Sequence, residues 1–159
     1  MKAQHLRSKT AAVLGFAGIV AIAAASALHA ASGPEPGPQL IQPAELARLL
    51  QGSAGARPLI IQVGFRTLYE QAHIPGSEYV SPASEAQGRQ ELHKRVQALP
   101  RNRFIVLYCG CCPWSHCPNV RPAYQELRQM GFRNVRVLYI ANNFGTDWVD
   151  KGYPVSKGN

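Results

Sequence analysis

Cys109, Cys111, Cys112 and Cys117 are the only cysteines of this 159-residue chain, and they fall within one short stretch. Thiols gathered this closely suit three kinds of chemistry. A thiolate attacks an electrophilic sulfur, two thiols close reversibly into a disulfide, and several thiols together hold a soft metal ion. A structural disulfide is the fourth use and asks nothing of reactivity. Cys109 and Cys112 have the Cys-x-x-Cys spacing that closes a disulfide and lowers the pKa of its first cysteine. Cys109, Cys112 and Cys117 with His116 offer ligands for copper(I) or zinc. Against that, the adjacent Cys111 and Cys112 are awkward in a closed tetrahedral site, and the spacing follows no standard zinc pattern. Four cysteines allow three full pairings, and a bridge needs Cα atoms within about 7 Å. The vicinal pair Cys111–Cys112 would be strained, which leaves Cys109 with Cys112 or Cys112 with Cys117.

The elements around the cysteines give them a position. Phe104 to Tyr108 is an apolar run that reads as a buried strand, and Asn119 to Met130 reads as a helix with Val120, Tyr124, Leu127 and Met130 on one face. The thiols therefore sit on a strand-to-helix turn, where unpaired N–H groups of the helix start can stabilise a thiolate. Upstream, Leu40 and Ile41 form a short strand, and a helix runs from Pro43 to Gln51 with Leu46, Leu49 and Leu50 on its apolar face. Leu59 to Val63 is apolar enough for a strand covered on both faces, and a short helix follows from Thr67 to about Ala72. His73 beside the Pro75-Gly76 turn reads as a structural histidine, and Tyr79-Val80 as a short strand. Residues 81–89 read as loop and 90–99 as helix. Val135 to Tyr139 is the next strand, and the tail through Val155 reads as one helical turn and a docked end. Strands alternating with helices imply an α/β fold with a parallel sheet covered on both faces.

Composition bounds the rest. Residues 1–32 are read as a signal peptide running into a linker, 33–38 as a Pro/Gly linker and 39–159 as the folded domain. Lys2, Arg7 and Lys9 precede an Ala-rich apolar run to Leu28 without one acidic residue, and small residues allow cleavage after Ala27 or Ser32. Export to the periplasm or beyond is the expectation, with membrane attachment only through an uncleaved leader. The chain has 17 basic and 9 acidic residues; without the leader, 14 basic residues remain and the formal charge is near +5. The arginines are scattered, with no basic run and no interleaved aromatics, so a nucleic-acid footprint is not expected.

Several separated pieces together resemble a single-domain rhodanese. They are Leu59-Ile60-Ile61-Gln62-Val63, Ala72-His73-Ile74-Pro75-Gly76-Ser77, Ile105-Val106-Leu107-Tyr108-Cys109, Gly131-Phe132-Arg133-Asn134-Val135, and Trp148 with Gly152-Tyr153-Pro154-Val155. The resemblance implies a rhodanese-like, five-stranded parallel sheet with helices on both faces. It implies Cys109 as a nucleophile directly after the central strand, taking sulfane sulfur from a small donor as a persulfide and passing it to a thiol acceptor. No cofactor is implied, and a protein partner is one option for the acceptor. The supporting loop would be Gly110, Cys111, Cys112, Pro113, Trp114, Ser115, His116 and Cys117, with Pro113 and Trp114 shaping its mouth and His116 as a base or thiolate partner. Attack of Cys112 on a Cys109 persulfide would release reduced sulfur and leave a disulfide.

The departures from the family are as informative. Gln62-Val63-Gly64 stands where Asp-Val-Arg is usual, with Arg66 a little later. Cys112 and Trp114 stand where the loop usually has glycine and a basic residue, so thiosulfate is expected to be a poor donor. Ser115 stands where related phosphatases need arginine, which argues against phosphate-ester hydrolysis. Arg121, then Arg66, are the cations expected to attract an anionic donor. Asn142, Asn143 and Thr146 fall at the same sheet edge as Cys109.

Overall fold

The computed structural model describes residues 37–53 and 57–158. The leader, its cleavage positions and residues 33–36 of the linker lie outside the described residues. Five strands, β1 (Gln39–Ile41), β2 (Leu59–Gln62), β3 (Glu78–Tyr79), β4 (Ile105–Tyr108) and β5 (Val135–Leu138), form one parallel sheet in the order β1-β5-β4-β2-β3. Four helices connect them: α1 (Pro43–Gln51), α2 (Arg66–Gln71), α3 (Ala86–Val96) and α4 (Val120–Gln129). Among the described residues no helix is long and apolar enough to cross a membrane.

β4 is the middle strand of the five, paired with β2 from Leu59↔Ile105 to Gln62↔Tyr108 and with β5 from Ile105↔Val135 to Leu107↔Val137. Successive strand side chains point to opposite faces, so a strand covered on both sides must be apolar throughout. Ile105, Leu107 and Cys109 enter the layer that holds Leu92 and Val96 of α3 and Val120, Ala123 and Leu127 of α4. Val106 and Tyr108 enter the opposite layer, with Leu46 of α1 and Trp148. Each large apolar side chain so buried contributes about 1.5–3 kcal/mol, which holds the end of β4 rigid.

The tail docks as expected. Residues Gly145–Val149 form a single π-helical turn closed by Asp150 N donating to Gly145 O at 2.8 Å. Trp148 is fully buried and its indole Nε1 donates to Pro154 O at 2.8 Å, while Ser156 exchanges backbone hydrogen bonds with His73. His73 is structural: it is buried, its Nδ1 lies 2.8 Å from Tyr69 O, and its ring stacks on Tyr69 at 3.9 Å.

One helix starts earlier than its sequence suggests. α3 begins at Ala86, not Gln90, because Gly88 is a packing residue within it. A Cβ on Gly88 would lie 2.3 Å from Pro82 O and 2.5 Å from Ser81 O, so only glycine lets the helix approach that backbone. A glycine between polar residues looks like loop until its neighbours in space are known.

Candidate functional site

β2 leads on to β3 on one side of the sheet and β4 to β5 on the other, so the chains leaving β2 and β4 part above the gap between them. Open α/β sheets hold their ligands at such a point, at the carboxyl ends of the strands. A cavity of about 490 Å³ lies here, lined by Gln62, Tyr108, Cys109, Cys111, Asn143 and Phe144 among others. Among the described residues no charged side chain lines it.

The loop after β4 is fastened from two directions. Gly110 takes a positive φ of 92°, and a Cβ there would come within 2.9 Å of Phe144 Cβ. Its carbonyl accepts from Phe144 N at 3.0 Å, and four residues on Trp114 N donates to Ile140 O at 2.9 Å. A 3₁₀ turn over Trp114–His116 then feeds α4.

All four cysteines are free thiols, and three of them converge. The sulfurs of Cys109, Cys111 and Cys117 lie within 4.8 Å of one another, with Cys109 Sγ 3.4 Å from Cys111 Sγ. Cys112 stands outside this group and touches Cys111, Sγ to Sγ, at 2.9 Å. Neither of the two bridges left open by the spacing, Cys109–Cys112 or Cys112–Cys117, is formed, and the sulfurs that converge are not the expected set of Cys109, Cys112, Cys117 and His116. The reason is the left-handed Gly110, which turns the chain so that Cys111 faces back toward Cys109. His116 is exposed and its Nδ1 lies 3.0 Å from Ser115 Oγ, away from the thiols.

Cys109 is buried, yet its pKa is lowered to about 6. The Cys117 thiol donates to its sulfur, and this outweighs the burial that would push the pKa up. The Asn119 side-chain amide and the Cys111 backbone N–H add to the effect. Cys117 is correspondingly held as a thiol, its pKa raised by the bond it donates to Cys109 and by burial, and burial raises that of Cys111 too. The helix start acts differently from the expectation. The N–H groups of Asn119 and Val120 reach Cys117, so α4 stabilises the Cys109 thiolate through Cys117 and the Asn119 side chain.

Three neighbours of the thiol escape a reading of the sequence. Asn119 is fully buried; its Nδ2 lies 3.4 Å from Cys109 Sγ and its Oδ1 accepts from Ser84 N at 3.0 Å. An asparagine ahead of a helix looks like an ordinary cap, but this side chain makes no capping bond. Gln62, at the unusual position in β2, is buried and donates through Nε2 to Cys109 O at 3.0 Å while accepting from Gly64 N at 3.2 Å. A neutral amide replaces a carboxylate and fixes the backbone on both sides of the gap. Gly64 leaves room for the sulfur, since a Cβ there would lie 2.6 Å from Cys109 Sγ.

Other expected site residues lie elsewhere. Arg121 is exposed on the first turn of α4, and Arg66 lies over the Tyr79 ring at 4.3 Å and 3.9 Å from Glu70; neither lines the cavity. Trp114 does not shape the mouth: it packs half-buried against the α3–α4 layer, and neither it nor Pro113 lines the cavity. Asn143 does line it, while Asn142 and Thr146 close the turn by hydrogen bonds to Asp147 and Asn143.

The rhodanese-like domain family model matches residues 42–139. The chain belongs to the rhodanese-like domain family. Solved structures of the same fold include the rhodanese-like domain of the Alr3790 protein of Anabaena sp., with 22% identity over 77% of this chain and 80% of that one, TM-score 0.53. The single-domain sulfurtransferase RDL2 of Saccharomyces cerevisiae has 16% identity over 76% and 95%, TM-score 0.53. A thiosulfate sulfurtransferase of Pseudomonas aeruginosa has 24% identity over 79% of this rhodanese-like chain and 20% of that one, TM-score 0.56. Likeness at these identities establishes the fold, not the reaction. No curated protein matches.

Proposed function

We propose that this rhodanese-like protein is a sulfurtransferase that carries sulfane sulfur as a persulfide on Cys109. The observation that carries this reading is the placement of the Cys109 thiol, at the rigid end of the central strand, in the wall of a cavity that no cationic side chain lines among the described residues, and against three donors. A thiolate is the nucleophile in sulfur exchange, and Cys117, Asn119 and the Cys111 N–H keep Cys109 in that form. The thiolate takes the outer sulfur of a persulfide R–S–SH, forming Cys109–S–S⁻ and releasing R–SH. An acceptor thiol then takes the outer sulfur and returns Cys109 to its thiolate. The sulfurtransferases among the structural relatives are consistent with this chemistry. The basic start and Ala-rich apolar run of residues 1–28 support a reaction outside the cytoplasm, with a small sulfur donor and a thiol or protein acceptor.

The cavity decides the donor. Thiosulfate is a dianion, and taking an unpaired charge out of water is costly. Among the described residues no arginine or lysine lines this cavity to offset that cost. A persulfide can offer the cavity its neutral S–SH end while the charged groups of its carrier stay in solvent, so it needs no such cation. Consumption of glutathione persulfide and of thiosulfate by the parent and by Cys109→Ser tests the reading. The parent is expected to consume the persulfide in preference to thiosulfate, and Cys109→Ser neither. Efficient use of thiosulfate by the parent, or sulfur uptake by Cys109→Ser, contradicts it.

A further inference from the structure

We infer that Cys111 resolves the Cys109 persulfide, so that the site releases sulfide and closes a Cys109–Cys111 disulfide. The inference rests on the sulfur-carrying reading of Cys109 and adds a second activity, persulfide reduction, to transfer. Cys111 Sγ lies 3.4 Å from Cys109 Sγ, near contact for two sulfur atoms, and the two belong to one cavity wall. The alternatives are placed less well. Cys112 contacts Cys111 but lies outside the three sulfurs that converge on Cys109. Cys117 is near enough, but it is buried in the α3–α4 layer, away from the cavity, and its thiol donates to Cys109.

The step balances without an added base. In Cys109–S–S⁻ the outer sulfur is anionic, and the Cys111 thiol carries a proton. The outer sulfur takes that proton, the Cys111 thiolate so formed attacks the inner sulfur, the bond between inner and outer sulfur breaks, and the outer sulfur leaves as HS⁻. One sulfur–sulfur bond forms and one breaks. The outer sulfur is reduced from the sulfane to the sulfide level, and the two cysteines are oxidised to the disulfide. Two equivalents of an external thiol then reopen the bridge and are themselves oxidised to a disulfide. That thiol has a way in, because Cys111 is half-buried and lines the cavity whereas Cys109 is 2% exposed.

A single turnover without reductant separates the two claims. The fully reduced chain and Cys111→Ser are each mixed with one equivalent of glutathione persulfide and quenched in acid, with Cys109→Ser as background. Sulfide, intact mass and the cysteine peptides are then read from the same sample. The parent is expected to release one sulfide per chain, to lose two hydrogens and to yield a Cys109–Cys111 bridged peptide. Cys111→Ser is expected to release none and to retain one added sulfur on the Cys109 peptide, which also reports that the variant is folded. A parent that keeps its added sulfur and releases no sulfide overturns the resolving step while leaving the carrier reading intact. So does a bridge from Cys109 to Cys112 or Cys117. Absence of sulfur uptake by both chains overturns the carrier reading and this inference with it.

Discussion

At the scale of single residues, the thiol is tuned by neighbours that hydrogen-bond to its charged form. Reaction at Cys109 should follow its thiolate fraction, so alkylation by iodoacetamide is expected to rise with pH through a midpoint near 6 and then level off. An ordinary cysteine, with a pKa of about 8.5, would still be gaining reactivity at that point. Replacing Asn119 with alanine removes a donor to the sulfur, so the midpoint should move upward. It also removes the acceptor of the Ser84 N–H, at a cost of about 0.5–1.5 kcal/mol read from urea denaturation. Gly64→Ala acts on position instead: its Cβ would meet the sulfur at 2.6 Å. Sulfur uptake is expected to fall by about 100-fold, the scale of loss from an ångström of misplacement, while overpacking costs about 1–3 kcal/mol. Uptake unchanged in Gly64→Ala would mean that the sulfur moves freely. Cys109 was legible in the sequence because a thiol directly follows an apolar strand. Its sulfur partners were not, because Cys-x-x-Cys spacing says nothing about which side chains face each other after a left-handed glycine.

At the scale of elements, the continuous apolar runs of β2 and β4 were legible because burial on both faces leaves no other composition, and α1 and α4 were legible from their apolar faces. The start of α3 was not, since Gly88 serves a contact with residues 81 and 82 and not a turn. This gives a prediction in which two effects oppose. Helix propensity favours Gly88→Ala by about 0.8–1.0 kcal/mol. The new Cβ would sit 2.3–2.6 Å from the Ser81 and Pro82 backbone, and overpacking of this kind costs about 1–3 kcal/mol or more. Net destabilisation is expected in urea denaturation; a stabilised variant would show that α3 does not pack as described.

At the scale of the whole molecule, a mildly basic protein keeps its reactive thiol in the wall of a cavity that no cation lines among the described residues. Charge outside the cavity is screened by solvent, so the scattered arginines do little for an anion within it. Trp114 stands where the family's loop usually has a basic residue, but its side chain packs on the core and does not line the cavity. Gln71, exposed at the end of α2, does line the cavity. Gln71→Arg is expected to raise kcat/KM for thiosulfate while leaving use of glutathione persulfide little changed, and an equal change in both would refute the charge argument.

The central claim is that Cys109 is the sulfur carrier, and it is tested most directly where no resolving thiol can remove the sulfur. Cys111→Ser and the double variant Cys109→Ser/Cys111→Ser are incubated with glutathione persulfide, and intact mass and peptide maps are recorded after acid quench. One added sulfur on the Cys109 peptide of the first, and none on the second, is the expected result. Equal sulfur loading of both chains would contradict the account.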